Sequence, residues 1–276
     1  MNATQVEATA ARAVREADAL LITGGAGMGV DSGLPDFRGT EGFWKAYPPF
    51  AKLGLRFEEL ANPTWFEQDP RLAWGFYGHR LNLYRATTPH AGFEILLRWA
   101  LGKPAGYFVF TSNIDGHFQR AGFPPDRVVE CHGSIHHVQC AEPCSGRIWP
   151  ADGTTVQVDE ATFKAGAKLP QCPDCGGMAR PNVLMFGDAR WLEERTEAQH
   201  AAYTRWHDET RGAKLAIIEC GAGTGVPTVR LQSERLARRP GATLVRINVR
   251  EPQVPPGHVG LMLGAAKALE RIDSCG

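Results

Sequence analysis

Five short apolar runs, each followed at once by a polar or glycine-rich loop, constrain this chain more than any other feature. The runs are Ala19 to Thr23, Tyr107 to Thr111, Arg127 to Glu130, Lys214 to Glu219 and Thr243 to Ile247, and the loops after them read GGAGMG, SNID, CHG, CGAGTG and NVRE. Unbroken apolar runs of this length suit strands buried on both faces. Helix-period stretches separate most of them, around Gly92 to Leu101 and Val229 to Arg238, and another covers residues 4 to about 17, with Val6, Ala10 and Val14 on one side. The pattern predicts an α/β fold built on a doubly wound, Rossmann-like parallel sheet. Ligands of such sheets bind beyond the carboxyl ends of the strands, so the five loops predict one shared crevice.

Two segments break the alternation. Residues 36–90 are rich in aromatics and proline, and residues 134–186 contain clustered cysteines. Both read as insertions that form a smaller domain, helical plus zinc ribbon, beside a discontinuous nucleotide-binding domain of residues 1–35, 91–133 and 187–276. The seven cysteines are an odd number, which suits no paired disulfide framework. Cys140-x3-Cys144 and Cys172-x2-Cys175 instead put two thiolates on each of two knuckles, predicting a structural Zn(2+) site with no open coordination position. Cys131, Cys220 and Cys275 read as soft packing residues, and His136 and His137 as strand or surface residues.

Thirty basic residues balance thirty acidic ones, so no global field gathers nucleic acid or an anionic membrane, and neither is expected as a partner. The alanine-rich, charged N-terminal stretch lacks the apolar centre of a signal peptide, and no run of about 18 apolar residues occurs, so a cytoplasmic location is expected.

Gly25, Ala26 and Gly27 after the first run would let the backbone turn tightly and approach a pyrophosphate. Val30 stands where the usual dinucleotide fingerprint has its third glycine, and no acid ends a strand about 20 residues on, which disfavours a dehydrogenase. The run continues as Ser32-Gly33-Leu34-Pro35-Asp36-Phe37-Arg38-Gly39, and with TSNIDGHFQRAG (111–122), CHG (131–133), the cysteine pairs and RPNVLMFGD (180–188) it resembles the sirtuin family of NAD-dependent protein deacylases. The resemblance runs in family order from about residue 19 to 250. Gly29 stands where the family usually has serine, and Ser112 where it has glutamine; the shorter Ser112 cannot reach the ribose in the same way.

This likeness implies an enzyme that breaks the nicotinamide–ribose bond of NAD, lets the acyl-lysine oxygen capture the sugar, and ends with the acyl group on ADP-ribose. His132 matches the base that deprotonates a ribose hydroxyl, a task suited to an imidazole near neutral pH. Asn113 and Asp115 match the pair that shapes the nicotinamide pocket. Asp36, Phe37 and Arg38 fall on the cofactor side, Arg38 toward the phosphates and Phe37 as the ring that shields the sugar carbon. Gly221, Gly223 and Thr224 match the adenosine side loosely, and Asn248 the partner of the adenosine ribose hydroxyls. Tyr77 and Arg80, three apart on a helix, resemble the pair by which one sirtuin branch holds the carboxylate of succinyl-, malonyl- and glutaryl-lysine. The expected partner is an acyl-lysine protein or peptide that adds as an extended strand. An NAD hydrolase or ADP-ribosyltransferase on the same site, and a non-catalytic NAD or ADP-ribose sensor, are the alternatives.

Overall fold

The computed structural model describes residues 3–35, 43, 45, 47, 48, 51, 54–159 and 161–276. Helix α1 (Ala3–Glu16) leads into β1 (Ala19–Gly24); short helices α2 (Phe57–Leu60) and α3 (Trp65–Gln68) precede the long α4 (Pro70–Ala86). Helix α5 (Ala91–Leu101) returns the chain to β2 (Tyr107–Thr111), followed by the one-turn α6 (His117–Arg120) and β3 (Val128–Glu130). Then come β4 (Gly133–Cys140), β5 (Ile148–Pro150) and β6 (Ala179–Val183). The last third holds α7 (Glu194–Glu209), β7 (Leu215–Cys220), α8 (Thr228–Ala237), β8 (Ala242–Ile247), β9 (Val259–Leu261) and α9 (Ala265–Asp273).

The predicted sheet is there. Six parallel strands run in the order β3-β2-β1-β7-β8-β9, and the five apolar runs are β1, β2, β3, β7 and β8. Alternate residues of β1 face opposite layers: Leu20 and Ile22 pack with Val14 of α1, Phe93 and Leu96 of α5 and Leu269 of α9. Ala19 and Leu21 pack with Tyr203 and Trp206 of α7 and Val229 and Leu236 of α8. Two elements escaped the sequence pattern for physical reasons. Edge strand β9 buries only Val259 and Leu261, too short a run to register, and α7 buries only Thr196, Tyr203 and Trp206 along its length.

A second sheet, in the order β5-β4-β6 and antiparallel, covers another core with α4. Pro181 is tolerated in β6 because that strand is an edge. Helix α4 is fixed at both ends. Asp69 accepts the Leu72 N–H (3.0 Å) with Pro70 in the first turn, and Arg120 Nη1 donates to the terminal carbonyls of Tyr84 (2.7 Å), Arg85 (3.2 Å) and Thr87 (2.7 Å). Among the described residues no helix is long and apolar enough to cross a membrane.

Candidate active site

Strands β1 and β7 are neighbours from which the chain winds in opposite directions, so the loops leaving their carboxyl ends part and open a crevice. The glycines of those loops serve each other first. Gly25 N donates to Cys220 O (2.9 Å) and Gly27 N to Gly221 O (3.1 Å). A Cβ on Gly25 would lie 2.7 Å from Ala222 Cα, and one on Gly27 2.8 Å from Gly221 Cα, so only glycine lets the two backbones meet. This close packing adds a requirement to the pyrophosphate role expected from the sequence.

Over this floor lies a cavity of about 620 Å³, within the range of organic-ligand sites. Gly25, Ala26, Gly223 and Thr224 line it from the β1 and β7 loops, and Ser112, Asn113, Asp115 and His132 from the β2 and β3 loops. Tyr77 and Arg80 reach it from α4. Gly27, Gly221 and Asn248 stand behind the wall. Asp36, Phe37 and Arg38 lie outside the described residues.

His132 is held through its neighbours. Its carbonyl accepts the Leu184 N–H (3.0 Å), and Gly133, at φ +74°, brings β4 so close to β6 that a Cβ there would be 2.2 Å from Asn182 O. Burial holds the imidazole's pKa below the ordinary histidine value, with a hydrogen bond to the Ser112 backbone opposing, so the ring is neutral at pH 7. Asp115 is 6% exposed, and burial raises its pKa to about 6; the His117 N–H that its Oδ1 accepts (2.9 Å) pulls the other way. His136 Nε2 lies 2.8 Å from Asp115 O, and since a carbonyl only accepts, the ring must carry its proton there. Asn113 bridges two loops, its N–H to Thr111 Oγ1 (3.0 Å) and its Nδ2 to Gly25 O (3.1 Å).

At the α4 end, Arg80 donates from Nε (3.0 Å) and Nη2 (2.8 Å) to Tyr84 Oη. Its guanidinium lies 5.2–5.8 Å from the ring centroids of Phe57, Phe76, Tyr77 and Tyr84. Tyr84 also lines the cavity and was not singled out from the sequence, although it stands one turn beyond Arg80 and two beyond Tyr77 on the same face. At the opposite end Thr224 donates from N (3.1 Å) and Oγ1 (2.6 Å) to the Glu251 carboxylate. Asn248 turns inward: Nδ2 donates to Ala222 O (2.7 Å), and Oδ1 accepts the N–H groups of Arg250 (2.9 Å) and Glu251 (3.0 Å). It shapes the loop that places Arg250 and Glu251 on the cavity wall, two residues sequence reasoning also missed.

The four predicted ligand cysteines come together, with all Sγ atoms within 4.8 Å of one another and the Cys140–Cys175 and Cys144–Cys172 pairs at 3.7 Å. Thiolates about 2.3 Å from a tetrahedral zinc are about 3.8 Å apart, so the cluster fits the ion. The set joins the end of β4 to the turn before β6. Purified protein is expected to carry one zinc per chain, and Cys172→Ser to lose the metal and lower the melting temperature, as read by elemental analysis and circular dichroism. An unchanged melting curve in the metal-free variant would contradict a structural role.

Fold and crevice together define a nucleotide-binding α/β protein with a separate four-cysteine sheet. The sequence profile of the Sir2 family matches residues 25–206, and the chain belongs to that family. It is 30% identical over 230 residues to the NAD-dependent protein deacylase of Aquifex aeolicus, covering 83% of each chain. With an NAD-dependent protein deacylase of Thermus thermophilus it shares 30% identity over 264 residues, covering 94% of this chain and 91% of that one. A Sir2 homologue solved in complex with NAD superposes with a TM-score of 0.70 at 26% identity, covering 97% of this chain and 93% of that one.

Proposed function

We propose that this chain is an NAD-dependent protein-lysine deacylase that releases nicotinamide and O-acyl-ADP-ribose. The observation that carries the proposal is the convergence of His132, Asn113 and Asp115 with Tyr77 and Arg80 on one cavity floored by glycine backbone. Relatives that bear the deacylase name over most of their length support it.

Gly25, Ala26, Gly223 and Thr224 would hold the cofactor's ADP-ribose portion, and the family resemblance assigns Asp36, Phe37 and Arg38 to the cofactor as well. Bound NAD supplies an electrophilic sugar carbon and nicotinamide as leaving group. His132, neutral at pH 7, takes a hydroxyl proton on its unprotonated ring nitrogen. Asn113 and Asp115 offer an amide and a carboxyl to orient a carboxamide. The aromatic side chains of Phe57 and Tyr77 keep bulk water from the reacting groups. Ser112, shorter than the family's glutamine, leaves orientation of the sugar to these neighbours.

The acyl group reads as one that ends in a carboxylate, facing Arg80 and Tyr77, with acetyl-lysine as a smaller substrate of the same tunnel. The peptide would enter as an added strand between the nucleotide-binding part (1–35, 91–133, 187–276) and the small part (36–90, 134–186), near the exposed Leu184 and Phe186 that also line the cavity. Incubation with NAD and acetyl- or succinyl-lysine peptide is expected to release nicotinamide only when peptide is present, one per acyl group lost by mass spectrometry. Equal release without peptide would favour the NAD hydrolase alternative instead.

A further inference from the structure

The hydroxyl of Tyr84 has two acceptor lone pairs and one hydrogen. Both lone pairs are taken by Arg80, whose Nε and Nη2 lie 3.0 and 2.8 Å from Oη. The hydrogen must therefore point elsewhere, and among the described residues no acceptor lies within its reach. Tyr84 is 3% exposed and lines the cavity, so the direction left is inward. Tyr77, 1% exposed and on the same face of α4, adds a second phenol whose oxygen has no hydrogen-bond partner among the described residues. A ligand carboxylate offers up to four acceptor positions to donors of this kind.

Resting on the deacylase reading, we infer that Tyr84 is a specificity-determining residue: it clamps the Arg80 guanidinium and presents its own O–H to a carboxylate at the end of the acyl chain. Acetyl-lysine has no group to meet that donor, so the phenol oxygen discriminates between acyl classes rather than acting in the chemistry common to them. The four rings around the guanidinium keep this end of the cavity apolar, and a hydrogen bond made there is shielded from competing water.

Tyr84→Phe deletes the oxygen and keeps the ring. With zinc-loaded protein and saturating NAD, kcat/KM for a succinyl-lysine peptide is expected to fall about ten- to hundredfold, mainly through KM, while the matched acetyl-lysine peptide changes by less than about threefold. Because the phenol acts in part through Arg80, adding Tyr84→Phe to Arg80→Met should cost much less than it does alone. Should the phenylalanine variant fail to fold by melting and NAD calorimetry, Tyr84→Met removes the same oxygen and carries the same expectation. Equal losses for both acyl classes, or a wild type that removes acetyl but no acidic acyl group, would overturn the role of Tyr84 and leave the deacylase reading standing. No peptide-dependent release of nicotinamide by the wild type would overturn both.

Discussion

Replacing His132 with alanine is expected to lower the rate of O-acyl-ADP-ribose formation by on the order of 10²- to 10⁴-fold, the usual worth of a positioned general base. Affinity for NAD should change by less than about tenfold, because the floor of the crevice is backbone from the β1 and β7 loops. His132 is the only histidine among the described residues that line the cavity, and its backbone is fixed on both sides by Leu184 N and by the tight Gly133 turn. Burial lowers its pKa, so the base form dominates at pH 7 and persists below the ordinary histidine value. Asp115 is the other titrating group at the centre, with its pKa raised to about 6. If its carboxylate form is the working one, wild-type activity falls as the pH drops through about 6, and recovers fully above it. The measurement is single-turnover product formation by mass spectrometry across that range. A variant that keeps the wild-type rate and acid limb would pass the role of base to Asp115 and remove His132 from the chemistry.

The parts of this site that the sequence carried openly are those set by local chain order. Buried parallel strands must be continuously apolar, so β1, β2, β3, β7 and β8 show as runs, and the loop after each is located by the run's end. The thiolate pairs show for the same reason, because two ligands on one knuckle need fixed spacing. What order cannot carry is which side of a loop faces the ligand. Asn248 sits in the right loop yet spends its amide on Ala222 O and on the N–H groups of Arg250 and Glu251, and these two residues reach the cavity instead. The spacing of Tyr77 and Arg80 pointed to one helix face, but the partner that orients the guanidinium became visible only when α4 closed its next turn. The glycines of the β1 loop answer a contact with Gly221 and Ala222, remote in sequence, which no local pattern could register.

The loop after β8 depends on a buried cation. Arg246 of β8 is the direct register partner of Glu219 on β7, and both are 0% exposed. The guanidinium donates to Glu219 through Nε and Nη2, to Glu234 through Nη2 (2.9 Å), and to the Gln253 carbonyl through Nη1. Arg230 holds the same stretch from α8, donating to Glu251 O (3.0 Å) and Gln253 O (3.2 Å). Arg246→Met leaves the Glu219 carboxylate buried without its cation, which costs about 3–5 kcal/mol. For a chain of this size that is a drop in melting temperature of roughly 10 °C. NAD affinity should fall as well, since the loop that presents Arg250 and Glu251 loses one of its two anchors at Gln253. The double variant Arg246→Met/Glu219→Leu separates the two effects. With no stranded charge, most of the melting temperature is expected to return, whereas the weakened NAD binding persists because the Gln253 carbonyl keeps only its Arg230 donor. Recovery of both together would mean that the loop is held by stability of the sheet alone, and a single variant that melts within about 1 °C of wild type would mean that the buried pair contributes little to either.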